Sequence, residues 1–423
     1  VRDGEEQLVP ACLDPAARGR FDWFCLSCEQ YLPFSYTPFL FPFQGVQWLV
    51  DRHTGRCCRT GYPTVRVFPP GQSLEVFFLA MNRRFDVALC GYYGFGNLGD
   101  ELLAKAAIEL LGTCGVPADR VVVLSKDPEG TREWLGTESV NRWSLPEVFK
   151  ALEESKSLLL GGGGLFQDST SIRSSLYYWG VVRLAGFAKC RPWCYGQSVG
   201  PFSGRTASLL ARNALGACRK RVVRDRFSVE ILNRWGLAAE LSPDMVFGLN
   251  LFAPGRESRP GTLLLNIRPW KDGLPEKVAR AVGEYARREG LEVRGIAMAE
   301  EDAQIMAELA RKGFLEFAEI RRLGSPGDCP LAWPGECAGA VGMRLHFCIL
   351  TALAGIRLLA VPYDPKVTGM AESLGIDLWS EGMPVSLTGM GMLPKIPEMR
   401  EEVRKVFRET YLALGSGEDH GQE

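Results

Sequence analysis

From residue 85 onward the apolar positions alternate between short continuous runs and stretches with three-to-four spacing. Phe85, Val87 and Leu89, with Ala88 and Cys90, suit a buried strand. Leu103, Ala106, Ala107, Leu110 and Leu111 then recur as one face of a helix, with Glu101, Lys105 and Glu109 on the other. The same reading predicts strands over residues 121–124, 157–160, 193–196 and 221–224, with amphipathic stretches between them. Residues 250–260, NLFAPGRESRP, have the polar, proline- and glycine-bearing composition of a linker. A second series follows: a strand over 262–267, a helix over 274–289, and strands over 291–297 and 357–361. A charged amphipathic helix over 396–414 and a frayed tail over 415–423 end the chain. Such alternation predicts βαβ units and parallel sheets, hence an α/β protein with two similar halves and a cleft between them. Ligands in such sheets bind outside the carboxyl ends of the strands.

Residues 1–80 read differently. They are crowded with aromatics and prolines (FDWFCLSCEQYLPFSYTPFLFPF) and keep neither period. Met81 is the first methionine and stands just before the first good strand. The expectation is that native translation starts at Met81 and that 1–80 is a gene-call extension. Cys25, Cys28, Cys57 and Cys58 offer a zinc site as the alternative, although Cys57-Cys58 lacks the spacing of a second C-x-x-C. The 423 residues carry 49 basic and 50 acidic side chains, which leaves no electrostatic footprint for nucleic acid. No apolar run approaches the length of a bilayer span. Thirteen scattered cysteines fit the reduced thiols of a cytoplasmic protein better than a disulfide framework.

Candidate chemistry gathers at the predicted strand ends. In GYYGFGNLGDE, Gly94, Gly96 and Gly99 match G-x-G-x-x-G, yet Tyr92 and Tyr93 separate the strand from the first glycine. Asp100 and Glu101 would repel a pyrophosphate at the helix start, which argues against a nicotinamide cofactor. A loop entering a helix N-terminus, here through Gly96 and Asn97, suits an anion or polar ligand, the bland alternative being a tight turn. In LLLGGGGLFQD, the run Gly161, Gly162, Gly163 and Gly164 removes every Cβ, so that a ligand or a neighbouring segment can approach closely. YGQSVGP presents Gln197 and Ser198, and VRD presents Arg224. NIRPW supplies Asn266, Arg268 and Trp270, and GMRLHF supplies Arg344 and His346 ahead of an apolar helix. His53 and His420 lie in the doubtful extension and the tail, so His346 is the histidine with a structured context.

These segments, with SPDMVF and VPYDPKV, resemble the polysaccharide pyruvyl transferase family in order and spacing from Met81 to about Trp379. The likeness is nearest to the CsaB-type branch, which modifies secondary cell-wall polymers. The resemblance implies two Rossmann-like domains, 81–250 and 261–385, facing a cleft as in GT-B glycosyltransferases, with 386–423 as a C-terminal helix and tail. It implies a phosphoenolpyruvate donor held by Arg224, Arg344 and His346. Arg268 is a further cation for a ligand with both a carboxylate and a phosphate. His346 is expected to handle a proton on the donor, and Asp100 or a neighbouring loop group to orient the acceptor. Gly96, Asn97, Gly162, Gly163, Gln197 and Ser198 would form the loops on the acceptor side. No metal or other cofactor is needed. The acceptor implied is an N-acetylmannosamine residue of a lipid-linked disaccharide, giving a 4,6-linked ketal that anchors surface-layer proteins. That acceptor would bring a cytoplasmic enzyme to the inner membrane face. The basic stretch Arg219, Lys220, Arg221, Arg224 and Arg226 offers contacts there, the alternative being a solvated face plus one active-site arginine. Two rivals stand beside this reading: a glycosyltransferase using a nucleotide sugar, and a noncatalytic sugar-binding protein.

Overall fold

A computed structural model describes residues 48–50, 57–59, 83–167, 172–252, 258–387 and 395–415. The chain divides into two units, Val1–Asn82 and Arg83–Glu423. In the first, β1 (Trp48–Val50) pairs antiparallel with β2 (Cys57–Arg59), Val50 opposite Cys57. The proposed start at Met81, Cys25, Cys28, His53, Asp168 and His420 lie outside the described residues.

The second unit holds two parallel sheets. The first comprises β3 (Phe85–Cys90), β4 (Val121–Ser125), β5 (Glu138–Asn141), β6 (Ser155–Phe166), β7 (Arg191–Val199), β8 (Arg221–Val223) and β9 (Glu240–Leu241). Its spatial order is β5-β4-β3-β6-β7-β8-β9. The second comprises β10 (Ser258–Asn266), β11 (Glu292–Ala297), β12 (Glu319–Arg322), β13 (Glu336–Gly342), β14 (Leu358–Ala360) and β15 (Asp377–Leu378). Its order is β12-β11-β10-β13-β14-β15. Helices connect the strands, and the α/β architecture expected from the alternating pattern is the one found.

The strands are apolar on both faces because both are covered. Val87, Leu89, Leu159, Trp193 and Tyr195 belong to a core that includes the helix Leu98–Thr113 and Phe407. Their neighbours Ala88, Cys90, Leu158, Leu160 and Cys194 belong to another, with Leu152, Tyr178, Val182 and Ala211. Period-two alternation thus sorts each strand between two layers of helices.

The C-terminal helix Ile396–Ala413 returns to the first sheet. Phe407 packs edge-on against Trp193 and Tyr195, with ring centres 5.6 and 4.9 Å apart. Tyr195 Oη donates to the Val403 carbonyl at 3.0 Å, and Arg400 reaches the carbonyls of Phe247 and Leu249.

Three local readings need correction. The four glycines do not leave β6 as a loop. They continue the strand and pair with β7, Gly161 opposite Tyr195 and Gly163 opposite Gln197. Their missing Cβ atoms admit side chains: the Tyr93 ring fills the space at Gly161, and Met245 Cε and Leu103 Cδ2 would lie 2.8 and 2.9 Å from a Cβ at Gly162. Positive φ angles at Gly162 and Gly163, 78° and 87°, also require glycine there. Next, β13 was not anticipated, although it lies inside the second sheet, because ECAGAVG is too small and polar to read as an apolar run. Finally, Glu101 is not on the solvent face of its helix but 3% exposed, folded back under the preceding loop.

Candidate functional site

The carboxyl ends of strands from both sheets converge on a cavity of about 910 Å³, whose walls include Ser198, Arg224, Asp244, Leu345, Tyr363 and Lys366. Arg224 follows β8 and is held by two contacts. Its Nε donates to Ser198 Oγ at 2.7 Å and its Nη1 to Asp244 Oδ2 at 2.6 Å. Ser198 Oγ in turn donates to Asp225 Oδ2 at 2.7 Å, and Asp225 caps the helix Arg226–Arg234. Both partners of the Arg224–Asp244 pair are almost fully buried.

His346 lies in the first turn of the helix Leu345–Leu353, for which Arg344 is the N-cap. Its Nε2 stands 3.7 Å from Asp244 Oδ2 and is buried without a hydrogen-bond partner. Asp244 therefore bridges an arginine of the first half and a histidine of the second. Burial alone would raise the Asp244 carboxyl pKa, but Arg224 and His346 bring it well below the usual range. The imidazole fits only because residue 99 is glycine, since a Cβ there would collide with Nδ1. The two halves also join beside it, Leu98 N donating to the Met298 carbonyl at 2.8 Å.

Asp100 completes the group from the first half. A Cβ at Gly163 would lie 3.3 Å from its Oδ1. Burial raises its pKa, against the opposing charges of His346, Arg224, Arg344 and Lys366. The structure thus brings Asp100, Gly163, Ser198, Arg224 and His346 together.

The remaining residues singled out from sequence sit around this group. Arg344 is paired with two carboxylates on its own side of the cleft: Nη2 reaches Asp302 Oδ1 and Glu301 Oε1, each at 2.7 Å, and Nε reaches Asp302 Oδ2 at 3.0 Å. Asn266 pins the same turn by accepting from the Arg344 backbone N–H at 2.9 Å. Arg268 donates to Tyr363 Oη at 3.2 Å, with its Nε buried and unpartnered. Trp270 and Tyr363 present their rings to that guanidinium at 5.5 and 5.2 Å. Gln197 is fully buried in the sheet, its Nε2 donating to the Leu160 carbonyl and its Oε1 unpartnered. Asn97 caps its helix by accepting from Gly99 N–H, and Gly96 faces Arg322 of the second half.

Asp244 of SPDMVF and Lys366 of VPYDPKV also belong to the site; the signal each carries in the sequence is that it directly follows a proline in a connection beyond a strand end. Lys366 N–H is accepted by Asp364 at 3.0 Å, and its ammonium lies 3.4 Å from the same side chain.

The glycine loop is occupied by its own chain. Glu101 Oε1 accepts from Gly94 N–H at 2.9 Å, while Oε2 is buried without a partner. Burial, then the charge of Asp100, push the Glu101 pKa up to about 7, despite hydrogen bonds from the loop N–H groups. Loop N–H groups that would cradle a pyrophosphate in a dinucleotide site are turned to this carboxylate instead. The raised value has a consequence for stability. The folded state holds this proton more tightly than the unfolded chain, so the stabilisation is complete below the unfolded pKa and disappears as pH rises through about 7. Between pH 5 and 8, the stability difference between Glu101→Gln and the parent should move in the variant's favour by up to roughly 3 kcal/mol, read from urea midpoints.

Among the described residues, no group of three His, Cys, Asp or Glu side chains is placed to hold a metal. No helix among them is long and apolar enough to cross a membrane.

A family model described as polysaccharide pyruvyl transferase matches residues 97–365. HepE from Anabaena, solved in complex with UDP-glucose, superposes with a TM-score of 0.53 at 12% identity, covering 78% of this chain and 99% of that one. The UDP-GlcNAc 2-epimerase from Methanocaldococcus jannaschii gives 0.51 at 9% identity, covering 79% and 99%. At these identities the likeness is one of fold, the GT-B-like pairing of two α/β halves. No curated protein matches the sequence significantly.

Proposed function

Because this chain belongs to the polysaccharide pyruvyl transferase family, we propose that it moves a pyruvyl group from phosphoenolpyruvate onto a saccharide, forming a ketal and releasing phosphate. The family establishes a polysaccharide-modifying transferase; donor, acceptor and mechanism are our reading. The observation that carries it is the Arg224–Asp244–His346 chain beside a cavity shared by both halves.

Phosphoenolpyruvate presents a carboxylate and a phosphate on three carbons, and needs converging cations. Arg224 and Lys366 line the cavity, whereas Arg268 and Arg344 stand behind its lining, Arg268 bonded to the wall residue Tyr363 and Arg344 next to Leu345. Since Arg344 is already paired with two carboxylates, Arg224 and Lys366 are the first donor contacts and Arg344 supports the turn that carries His346. Asp244 holds Arg224 and faces His346 with the same oxygen, so it fixes both against the donor.

The reaction balances without water or redox change. His346 gives a proton to the donor methylene carbon as one sugar hydroxyl adds to C2. The C2–O bond to phosphate then breaks, the electron pair leaving with phosphate. A second hydroxyl closes the ketal. Of the two hydroxyl protons, one restores His346 and the other leaves with phosphate. Asp100, whose raised pKa suits proton transfer, orients the attacking hydroxyl from the first half. The acceptor we favour is the CsaB-type one, a lipid-linked disaccharide ending in N-acetylmannosamine and pyruvylated at O4 and O6, reached at the inner membrane face.

Phosphate release from phosphoenolpyruvate, with and without that disaccharide and with the product weighed by mass spectrometry, tests the proposal. Acceptor-dependent release with a pyruvyl mass gain is expected. Binding of phosphoenolpyruvate without release would reject the acceptor. Turnover of a nucleotide sugar with indifference to phosphoenolpyruvate would replace the proposal by the glycosyltransferase reading.

A further inference from the structure

Arg142, directly after β5, is 3% exposed, yet no carboxylate pairs with it among the described residues. Four aromatic rings surround its guanidinium, with centres at 4.3 Å for Tyr177, 5.1 Å for Phe95, 5.2 Å for Trp143 and 5.6 Å for Tyr178. Nη1 donates to the Gly91 carbonyl at 2.6 Å and Nη2 to Tyr178 Oη at 3.3 Å, while Nε is buried without a partner. Tyr177 Oη in turn donates to the Arg142 carbonyl at 3.3 Å.

A buried cation without a counter-ion is costly, and ring faces offset only part of that cost. What the arrangement sustains is local. Gly91 opens the glycine loop, and Phe95 stands within it, stacked on Tyr92 at 3.9 Å with the rings 7° from parallel. Lys126 approaches the same Phe95 ring at 5.1 Å. One guanidinium therefore grips the loop at its beginning and at its aromatic pair. Immediately beyond lie Asn97, which caps the helix, and Asp100.

We propose that Arg142 is a positioning residue that sets the shape of the loop 91–97 and, through it, the binding of the saccharide acceptor. It reaches neither the cavity lining nor the Arg224–Asp244–His346 chain. The kinetic half of this inference rests on the proposed function, whereas the structural half does not.

Arg142→Met keeps bulk and removes the charge with both hydrogen bonds. Its acceptor KM is expected to rise about tenfold or more, the scale of a lost charge-assisted hydrogen bond. The KM for phosphoenolpyruvate should stay within about twofold. Amide exchange over residues 91–97 should accelerate. Unchanged exchange over 91–97 would overturn the proposal, as would an unchanged acceptor KM or equal losses for both substrates. Should Arg142→Met not fold, Arg142→Lys retains the charge but cannot span Gly91 and Tyr178 together. The same split is expected of it, and parental kinetics and exchange would overturn the proposal. If the parent protein itself ignores phosphoenolpyruvate, the proposed function fails, and amide exchange alone still decides the role of Arg142.

Discussion

His346→Gln is expected to lower turnover by a factor of about 10²–10⁴, the span usual for removing a general acid or base. Glutamine keeps a polar head of similar reach, so packing against Gly99 should survive and the thermal midpoint should move little. The KM for phosphoenolpyruvate should change less than kcat, because Arg224 and Lys366 remain in the cavity wall. Phosphate release at saturating acceptor is the measurement. Turnover within a few-fold of the parent would remove His346 from the chemistry and move proton transfer to Asp100.

Asp244→Asn should be the most destabilising single change in the site. It removes the carboxylate that compensates Arg224 and leaves a guanidinium buried without its ion-pair partner. Breaking a buried pair in this way costs about 3–5 kcal/mol. The pH dependence is specific. Asp244 has a lowered pKa when folded, so its stabilisation is present above the unfolded carboxylate value of about 3.9 and is lost as pH falls through the lower folded value. Urea unfolding should therefore show a gap between parent and variant that is constant from pH 8 to about 5 and narrows only below about pH 4. Equal stability at pH 7 would mean that the Arg224–Asp244 pair contributes nothing measurable to the fold.

The sequence made the sheets legible wherever strands were apolar runs followed by a long amphipathic helix, as at Phe85–Cys90 with Leu98–Thr113. It concealed β13, whose glycines and alanines pack without announcing themselves, and the two-residue edge strands β9 and β15. At the site, His346, Arg224 and Asp100 could be singled out because each ends a motif of unusual composition. Asp244, the partner shared by Arg224 and His346, could not, since its place is defined by contacts with Arg224, 20 residues earlier, and with His346, about a hundred residues later. For the same reason Arg344 read as an open anion contact: Asp302 and Glu301, which occupy it, stand on a helix more than 40 residues earlier. Glu101 illustrates the limit of helical periodicity in a first turn, where a side chain can fold back to loop N–H groups.

The return of the C-terminal helix to the first sheet means that the first half is finished by chain that follows the whole of the second half in sequence. Phe407 closes over Trp193 and Tyr195, and Arg400 holds the carbonyls of Phe247 and Leu249. A fragment cut after the seven strands of the first sheet would therefore bare two large aromatic rings, so the two halves are joined in folding as well as in the site.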